Sequence, residues 1–372
     1  MSTEKNPLPT RFSSFSHIDE KLGLTPFERL TQFRDEVRLA DELGFDYFFT
    51  AEHHFSRTRG LSTSEGVTSA IIAQNSDRMR FGPMTYQLPI NDPLRVAEEV
   101  VILDHMSNGR FDVGFSKGVV PHELITYGVH PDEAQARFDE ALEFMLKAWT
   151  LDERFSSLGH HNSYFDVEMT QLPLQRPYPP IWIPTATPAN AEEWGKRGYK
   201  TAGFAFLGTE AHKEVFSRYK DGYAESGAPI EDRRIGYLMA VVVAGTDAEA
   251  EARSVKHFGE YVDIFVYETE RSHAALDTKG KRFTAGLFGL FESLRDPKVF
   301  TEDFIVVHGS PSTVVAKMKA LQELLDIDTL ITEFNIGNMP WEHVQESMEL
   351  FATDVMPHFE RAAQSELAAG AA

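Results

Sequence analysis

The stretch Leu103-Asp104-His105-Met106-Ser107-Asn108-Gly109-Arg110-Phe111-Asp112-Val113-Gly114-Phe115-Ser116-Lys117-Gly118 reads as a helix end, a tight turn, a strand and a basic, glycine-flanked strand terminus. Asn108-Gly109 supplies the left-handed backbone that stops a helix. Phe111 to Ser116 is a short β-rich run, and Lys117 ends it. The C-terminal end of a strand is where an α/β barrel keeps its chemistry.

The same order of signals recurs along the chain. Thr25-Pro26 with Glu28 is a capped helix start, Leu30, Phe33, Val37 and Ala40 follow at helical spacing, and Gly44 stops the run before a strand at Phe45 to Thr50. Asp92-Pro93 opens the helix that ends at Asn108-Gly109. Thr187-Pro188 opens another, with Gly198 as stop and Tyr199 to Phe204 as strand. Ser310-Pro311 opens a further helix, leading to the apolar segment Thr329 to Phe334. Strands are expected near residues 10 to 16, 45 to 50, 80 to 86, 111 to 116, 180 to 185, 199 to 204, 235 to 244 and 328 to 335. Eight strands alternating with helices predict a (β/α)8 TIM barrel rather than an open doubly wound sheet. One domain over residues 1–372 accommodates this, with insertions near 152–180 and 257–298. The first, rich in His, Ser, Pro and aromatics, is expected to be a hairpin or loop. The second, with mixed charge and Gly280, Gly286 and Gly289, is expected to be a mobile active-site lid, with a structural subdomain as the alternative.

Composition narrows the function. Hydrophobic residues make up 42% of the chain and 28 are Phe, enough for a large core. The net charge of -21 opposes nucleic-acid or anionic-membrane partners, which require clustered cations. With no cysteine, disulfides, thiolate catalysis and cysteine metal sites are excluded, which fits a cytoplasmic location. MSTEKNPLPT lacks the apolar centre of a signal peptide, and the longest apolar run, Tyr237 to Gly245, falls short of the about 20 residues of a membrane span. The terminal ELAAGAA is expected to fray.

Candidate chemistry clusters at strand ends. Thr50-Ala51-Glu52-His53-His54-Phe55, followed by Ser56-Arg57-Thr58-Arg59-Gly60, sets two histidines beside a carboxylate, a proton donor or acceptor tunable near neutral pH. The competing reading is one packed and one solvated His. The spacing matches neither His-x-His nor His-Glu-x-x-His, which argues against a metal. Lys117 would aim an ammonium group into the barrel mouth, where a phosphate could sit, or stand as a rim charge. Arg137 is a second cation, or an intrahelical partner of Glu133 or Glu140. Thr187-Pro188-Ala189-Asn190 offers the free N–H groups of a helix start as an anion site, or is only a cap. Gly309-Ser310-Pro311-Ser312-Thr313 competes for that role.

Four separated motifs occur in order: LGFDYFFTAEHHF, QLPINDPLRVAEEVVILDHMSNGRFDVGFSKG, IWIPTATPANAEEWGKRG and FIVVHGSPSTVVAKM. Together they resemble the bacterial luciferase-like flavin monooxygenases over most of residues 25 to 350. The resemblance implies a barrel using dioxygen and reduced flavin mononucleotide (FMN) delivered by a separate flavin reductase. It further implies a flavin C4a-peroxide that oxygenates a small organic substrate, and a homodimer joined by helices of the first half of the barrel. By this resemblance His53 takes the catalytic position and Glu52 orients it or lines the pocket. Met84-Thr85 matches a non-prolyl cis peptide beneath the flavin ring, and Lys117 and Arg137 fall where phosphate ligands lie. Ala186, Thr187 and Asn190 line the cofactor site at the fifth helix start, and Ser116 stands where luciferases carry a reactive cysteine. Lys117 replaces an arginine usual in luciferases, keeping the charge without the bidentate fork. The rival readings are a deazaflavin-dependent hydride-transfer oxidoreductase, from the same superfamily, and a noncatalytic flavin-binding partner subunit, which the presence of both Glu52 and His53 opposes.

Overall fold

Strand β1 (Arg11–Ser16) is buried along its whole length and leads to helix α1 (Pro26–Leu43). Thr25 and Glu28 form a reciprocal capping box there, Pro26 takes the first helical turn, and Gly44 closes the end. The pattern continues through β2 (Tyr47–Thr50), α2 (Glu65–Gln74), β3 (Arg80–Pro83), the short β4 (Tyr86–Gln87) and α3 (Pro93–Met106). The Asp92 carboxylate accepts the Leu94 and Arg95 N–H groups to cap α3. Asn108 (φ +53°) and Gly109 (φ +80°) then turn the chain toward β5 (Val113–Ser116), α4 (Pro121–Thr126) and α5 (Ala134–Thr150). The antiparallel pair β6 (Phe155–Leu158) and β7 (Ser163–Val167) forms a hairpin within 152–180, where a hairpin or a loop is expected. After it come β8 (Ile181–Trp182), α6 (Pro188–Lys196), β9 (Thr201–Phe204), α7 (Thr209–Ser226) and β10 (Ile235–Val243). The chain closes with α8 (Asp247–Ala275), α9 (Thr278–Ser293), α10 (Pro297–Glu302), β11 (Val306–Gly309), α11 (Pro311–Leu325), β12 (Thr329–Glu333) and α12 (Trp341–Leu350). This computed structural model describes residues 8–56, 59–276 and 278–360, with only the backbone of 278–283; Arg57, Thr58, most of MSTEKNPLPT and ELAAGAA lie outside the described residues.

The strands form a curled parallel sheet. Pairing runs β3, β2, β1, β12, β10, and β10 also carries β9 along its first half (Ile235 opposite Thr201) and β11 along its second (Ala240 opposite Val306). A second parallel group, β4, β5 and β8, meets the first through isolated bridges at Phe81 to Phe111 and Trp182 to Lys200.

Three expectations change in detail. The strand expected over 80 to 86 is broken into β3 and β4 at Met84–Thr85, whose peptide is cis. β11 is a further parallel strand absent from the eight expected; four residues ending in Gly309 are too few to show a period. The segment expected as an insertion over 257–298 has no boundary at its start: it begins inside α8, which starts at Asp247 with the Thr246 hydroxyl accepting the Glu249 N–H, and continues through α9. Ala250, Ser254, His257, Phe258, Tyr261 and Val262 recur at helical spacing as the buried side of α8.

Alternation along each strand separates two cores. Phe15, Tyr47, Phe49, Leu238 and Ile331 face inward with Met84 and Trp182, whereas Phe12, Phe48, Tyr237, Met239 and Leu330 face the helices. The Trp182 ring stands edge-on to Phe49 at 5.4 Å and to Tyr47 at 5.9 Å. At the N-terminal end, buried Asp112 accepts from Arg80 Nε (2.6 Å), Trp182 Nε1 (2.8 Å) and Lys200 Nζ (2.8 Å). Burial pushes its carboxyl up, but Arg80 and Lys200 prevail and hold it below the usual range. One carboxylate thus ties the starts of four strands together.

Candidate active site at the strand C-termini

Beyond β2 the chain runs through Glu52, His53 and His54 outside regular secondary structure. Glu52 pairs with His54 (Oε1 to Nε2, 2.9 Å), not with His53. Glu52 also accepts the Gln87 N–H (2.6 Å) and the Asn91 amide (2.9 Å), and these bonds fix the β4 region. This corrects the sequence reading in which Glu52 orients His53. The carboxylate that holds His53 is Glu123, on α4, whose Oε1 lies 3.2 Å from His53 Nδ1. Glu123 also accepts the His54 N–H (2.9 Å) and Gln87 Nε2 (2.8 Å). Burial would raise its carboxyl, but the charge and hydrogen bond of His53, with those of Gln87 and the His54 backbone, bring it down to about 2. His53 is buried, and among the described residues none hydrogen-bonds its Nε2.

Met84 joins the inward aromatic core, and the Thr85 hydroxyl donates to Ser116 Oγ at 2.6 Å, so these three residues meet where β3 gives way to β4. Lys117 is exposed, and among the described residues no hydrogen bond or ion pair holds its ammonium group. Arg137 is half-buried and pairs with Glu133 at 3.1 Å, the intrahelical alternative the spacing allows. Ala186, Thr187 and Asn190 are exposed at the start of α6, and the Thr187 side chain makes no capping bond. At α11, by contrast, Asp247 accepts both the N–H and the hydroxyl of Ser310 (2.7 and 2.8 Å), so a carboxylate already fills the competing helix start. Among the described residues no hydrogen bond or ion pair joins Lys117, Arg137, Thr187 and Asn190 to one another.

Helix α8 reaches across this end of the sheet. Tyr261 touches His17 and Glu333, Glu268 lies 3.1 Å from His122 Nε2, and Arg271 bonds the Phe55 carbonyl. His17 follows β1 and Glu333 ends β12, so both stand at strand ends, as His53 and Lys117 do. Glu123, Gln87 and Tyr261 carry no sequence signal, because only folding brings α4, β4 and α8 to the His pair.

Over residues 10–326 the chain matches the pattern of the luciferase-like monooxygenases, and it belongs to that family. It is 30% identical over 267 residues to the uncharacterized protein y4wF of Sinorhizobium fredii, covering 70% of this chain and 75% of that one. The oxygenase component of the flavin-dependent trigonelline monooxygenase of Acinetobacter baylyi is 24% identical over 366 residues, 94% of this chain and 95% of its own. The fold is similar to the oxygenating constituent of 3,6-diketocamphane monooxygenase of Pseudomonas putida, solved with FMN (TM-score 0.76, 21% identity, 94% and 98% of the two chains). An F420-dependent secondary alcohol dehydrogenase shares the fold at a TM-score of 0.72 and 16% identity, over 94% of this chain and 99% of that one. Among the described residues no helix is long and apolar enough to cross a membrane.

Proposed function

We propose that this chain is the oxygenase of a two-component flavin system, binding reduced FMN at the open end of a closed (β/α)8 barrel and directing dioxygen onto a small organic substrate. The observation that carries this reading is the His53–Glu123 pair, an imidazole buried at a strand end and held by an ionised carboxylate, in a chain of the luciferase-like family. The two isolated bridges between the strand groups support barrel closure.

The residues present fit the cofactor. The uncapped start of α6, with Thr187 and Asn190, offers N–H, hydroxyl and amide groups to a phosphate, and Lys117 supplies a free cation. Arg137 joins them only by leaving Glu133. Met84, Thr85 and Ser116, which meet where β3 gives way to β4, would line the flavin ring, with a hydroxyl where a thiol would bring its own reactivity. When bound, reduced flavin supplies the two electrons that let dioxygen give one atom to substrate and one to water. His53, fixed through Nδ1, holds or moves a proton at Nε2. Helix α8, tied to His17, His122 and Phe55, serves as the lid that keeps water from the reacting centre.

A separate reductase is inferred from the relative named as an oxygenase component. Exposed Val67 on α2, with exposed Ile102 and Met106 on α3, which line a cavity of about 670 Å³, support a homodimer through these helices. The lack of cysteine fits a cytoplasmic location.

Anaerobic titration with reduced FMN, riboflavin and F420, followed by turnover with labelled dioxygen, a supplied reductase and a substrate panel, tests the reading. Binding of FMN and one labelled oxygen atom in product are expected, with product lost but flavin binding kept in His53→Ala. Hydride transfer to or from F420 without oxygen uptake, or unchanged turnover in His53→Ala, overturns it.

A further inference from the structure

A second acid–base cluster stands beside His53. The His17 ring lies 5.6 Å from the His53 ring, centroid to centroid, tilted by 30°. His17 Nδ1 is 2.8 Å from Glu333 Oε1, the Tyr261 hydroxyl is 2.8 Å from Glu333 Oε2, and the same hydroxyl is 2.8 Å from His17 Nδ1. Arg59 donates to the Tyr261 hydroxyl at 3.2 Å. These contacts come from four separate parts of the chain: the ends of β1 and β12, helix α8 and the segment after β2.

We infer that Glu333, Tyr261 and His17 form a proton relay, in which a proton stored on Glu333 reaches the strand-end site through the neutral His17 ring, with Glu333 and Tyr261 as positioning residues. The three close contacts allow two proton arrangements. With Glu333 ionised, Tyr261 donates to Oε2 and His17 donates Nδ1–H to Oε1, leaving Nε2 as an acceptor. With Glu333 protonated, its O–H donates to Nδ1 and the ring carries its proton on Nε2 instead. Passing from the second state to the first releases the Nε2 proton to the site while the Glu333 proton moves to Nδ1. The O–H and Nε2–H bonds break, an Nδ1–H bond forms, the imidazole stays neutral and one proton leaves.

The electrostatics agree with this geometry. Burial pushes the Glu333 carboxyl up to about 7, against the lowering pull of the Tyr261 hydrogen bond, Arg59 and Lys21. Burial and the charge of Arg59 hold His17 well below its ordinary value, so it stays neutral while Glu333 titrates. The groups facing His17 are Glu333 from β12, Tyr261 from α8, His53 and Arg59 from the segment after β2, and Asp19 from its own loop. The assignment of the site around His53 rests on the proposed function, but the relay is testable without flavin.

Imidazole nitrogen NMR on the flavin-free chain reports the His17 tautomer directly, assigned with His17→Gln. Between about pH 5.5 and 8.5 the His17 ring should pass from Nε2–H to Nδ1–H while remaining neutral, and an infrared carboxylic-acid band should vanish with the same midpoint. In Glu333→Gln both changes should be absent. A fixed tautomer across that range, conversion of His17 to imidazolium, or persistence of the infrared change in a folded Glu333→Gln variant overturns the relay. The wild-type spectra decide the matter even if that variant does not fold. Failure of the proposed function would appear in the flavin titration and leave these spectra unchanged.

Discussion

Replacing Glu123 by Gln removes the charge that holds His53 while keeping the side-chain shape. The carboxyl falls from an ordinary 4.5 to about 2 in the folded chain, which at about 1.4 kcal/mol per pH unit corresponds to about 3 kcal/mol of stabilisation. Because the folded value is depressed, this contribution is complete above about pH 4.5 and fades as the pH falls toward about 2. Glu123→Gln should therefore be less stable than wild type by about 3 kcal/mol at pH 7, with the gap narrowing below pH 4.5. The retained carbonyl oxygen can still accept from one neighbour, but the new amide N–H₂ opposes donors from Gln87, the His54 backbone or His53. Urea denaturation of both proteins across this pH range measures the difference. A gap below about 0.5 kcal/mol at pH 7, or one that does not depend on pH, would refute the assignment of Glu123 as the ionised anchor of His53. The variant should also lose oxygenation through a misplaced ring, with flavin affinity kept.

Lys117→Ala should weaken binding of reduced FMN on the order of tenfold while leaving riboflavin affinity unchanged, since only FMN carries the phosphate; equal losses for both ligands would remove Lys117 from the phosphate site. Asp112→Asn leaves Arg80 and Lys200 without their shared buried carboxylate and should cost about 3 to 5 kcal/mol in chemical denaturation. A cost under about 1 kcal/mol would show that the strand starts do not depend on it. Gly114→Ala places a methyl group against the Pro83 carbonyl oxygen and the Met84 backbone, pushing β5 from β3. It should destabilise by more than about 2 kcal/mol and weaken flavin binding, and a near-neutral stability change would contradict that packing.

What was legible in the sequence is local. Caps, prolines and glycine stops place α1, α3, α6 and α11 within a residue or two, because each depends on hydrogen bonds between near neighbours. The hairpin of the first insertion and the strand-end position of His53 are local in the same sense. β11 carries no such signal, because four buried residues show no period, and the helix that contains the start of the second insertion begins at Asp247 rather than at His257. The pairing of carboxylates with histidines is a different kind of fact. Glu52 is His53's neighbour in sequence, yet in the fold its carboxylate bonds His54. The partner of His53 comes from 70 residues away, and the partner of His17 from 316 away, positions set only when the sheet curls and brings α4 and β12 to the ends of β2 and β1. By itself the sequence determined the repeating units and the residue types available for chemistry, since these follow from short-range sterics and hydrogen bonding. Only the tertiary structure decided which charge meets which ring, because that depends on burial and on contacts between residues far apart in the chain.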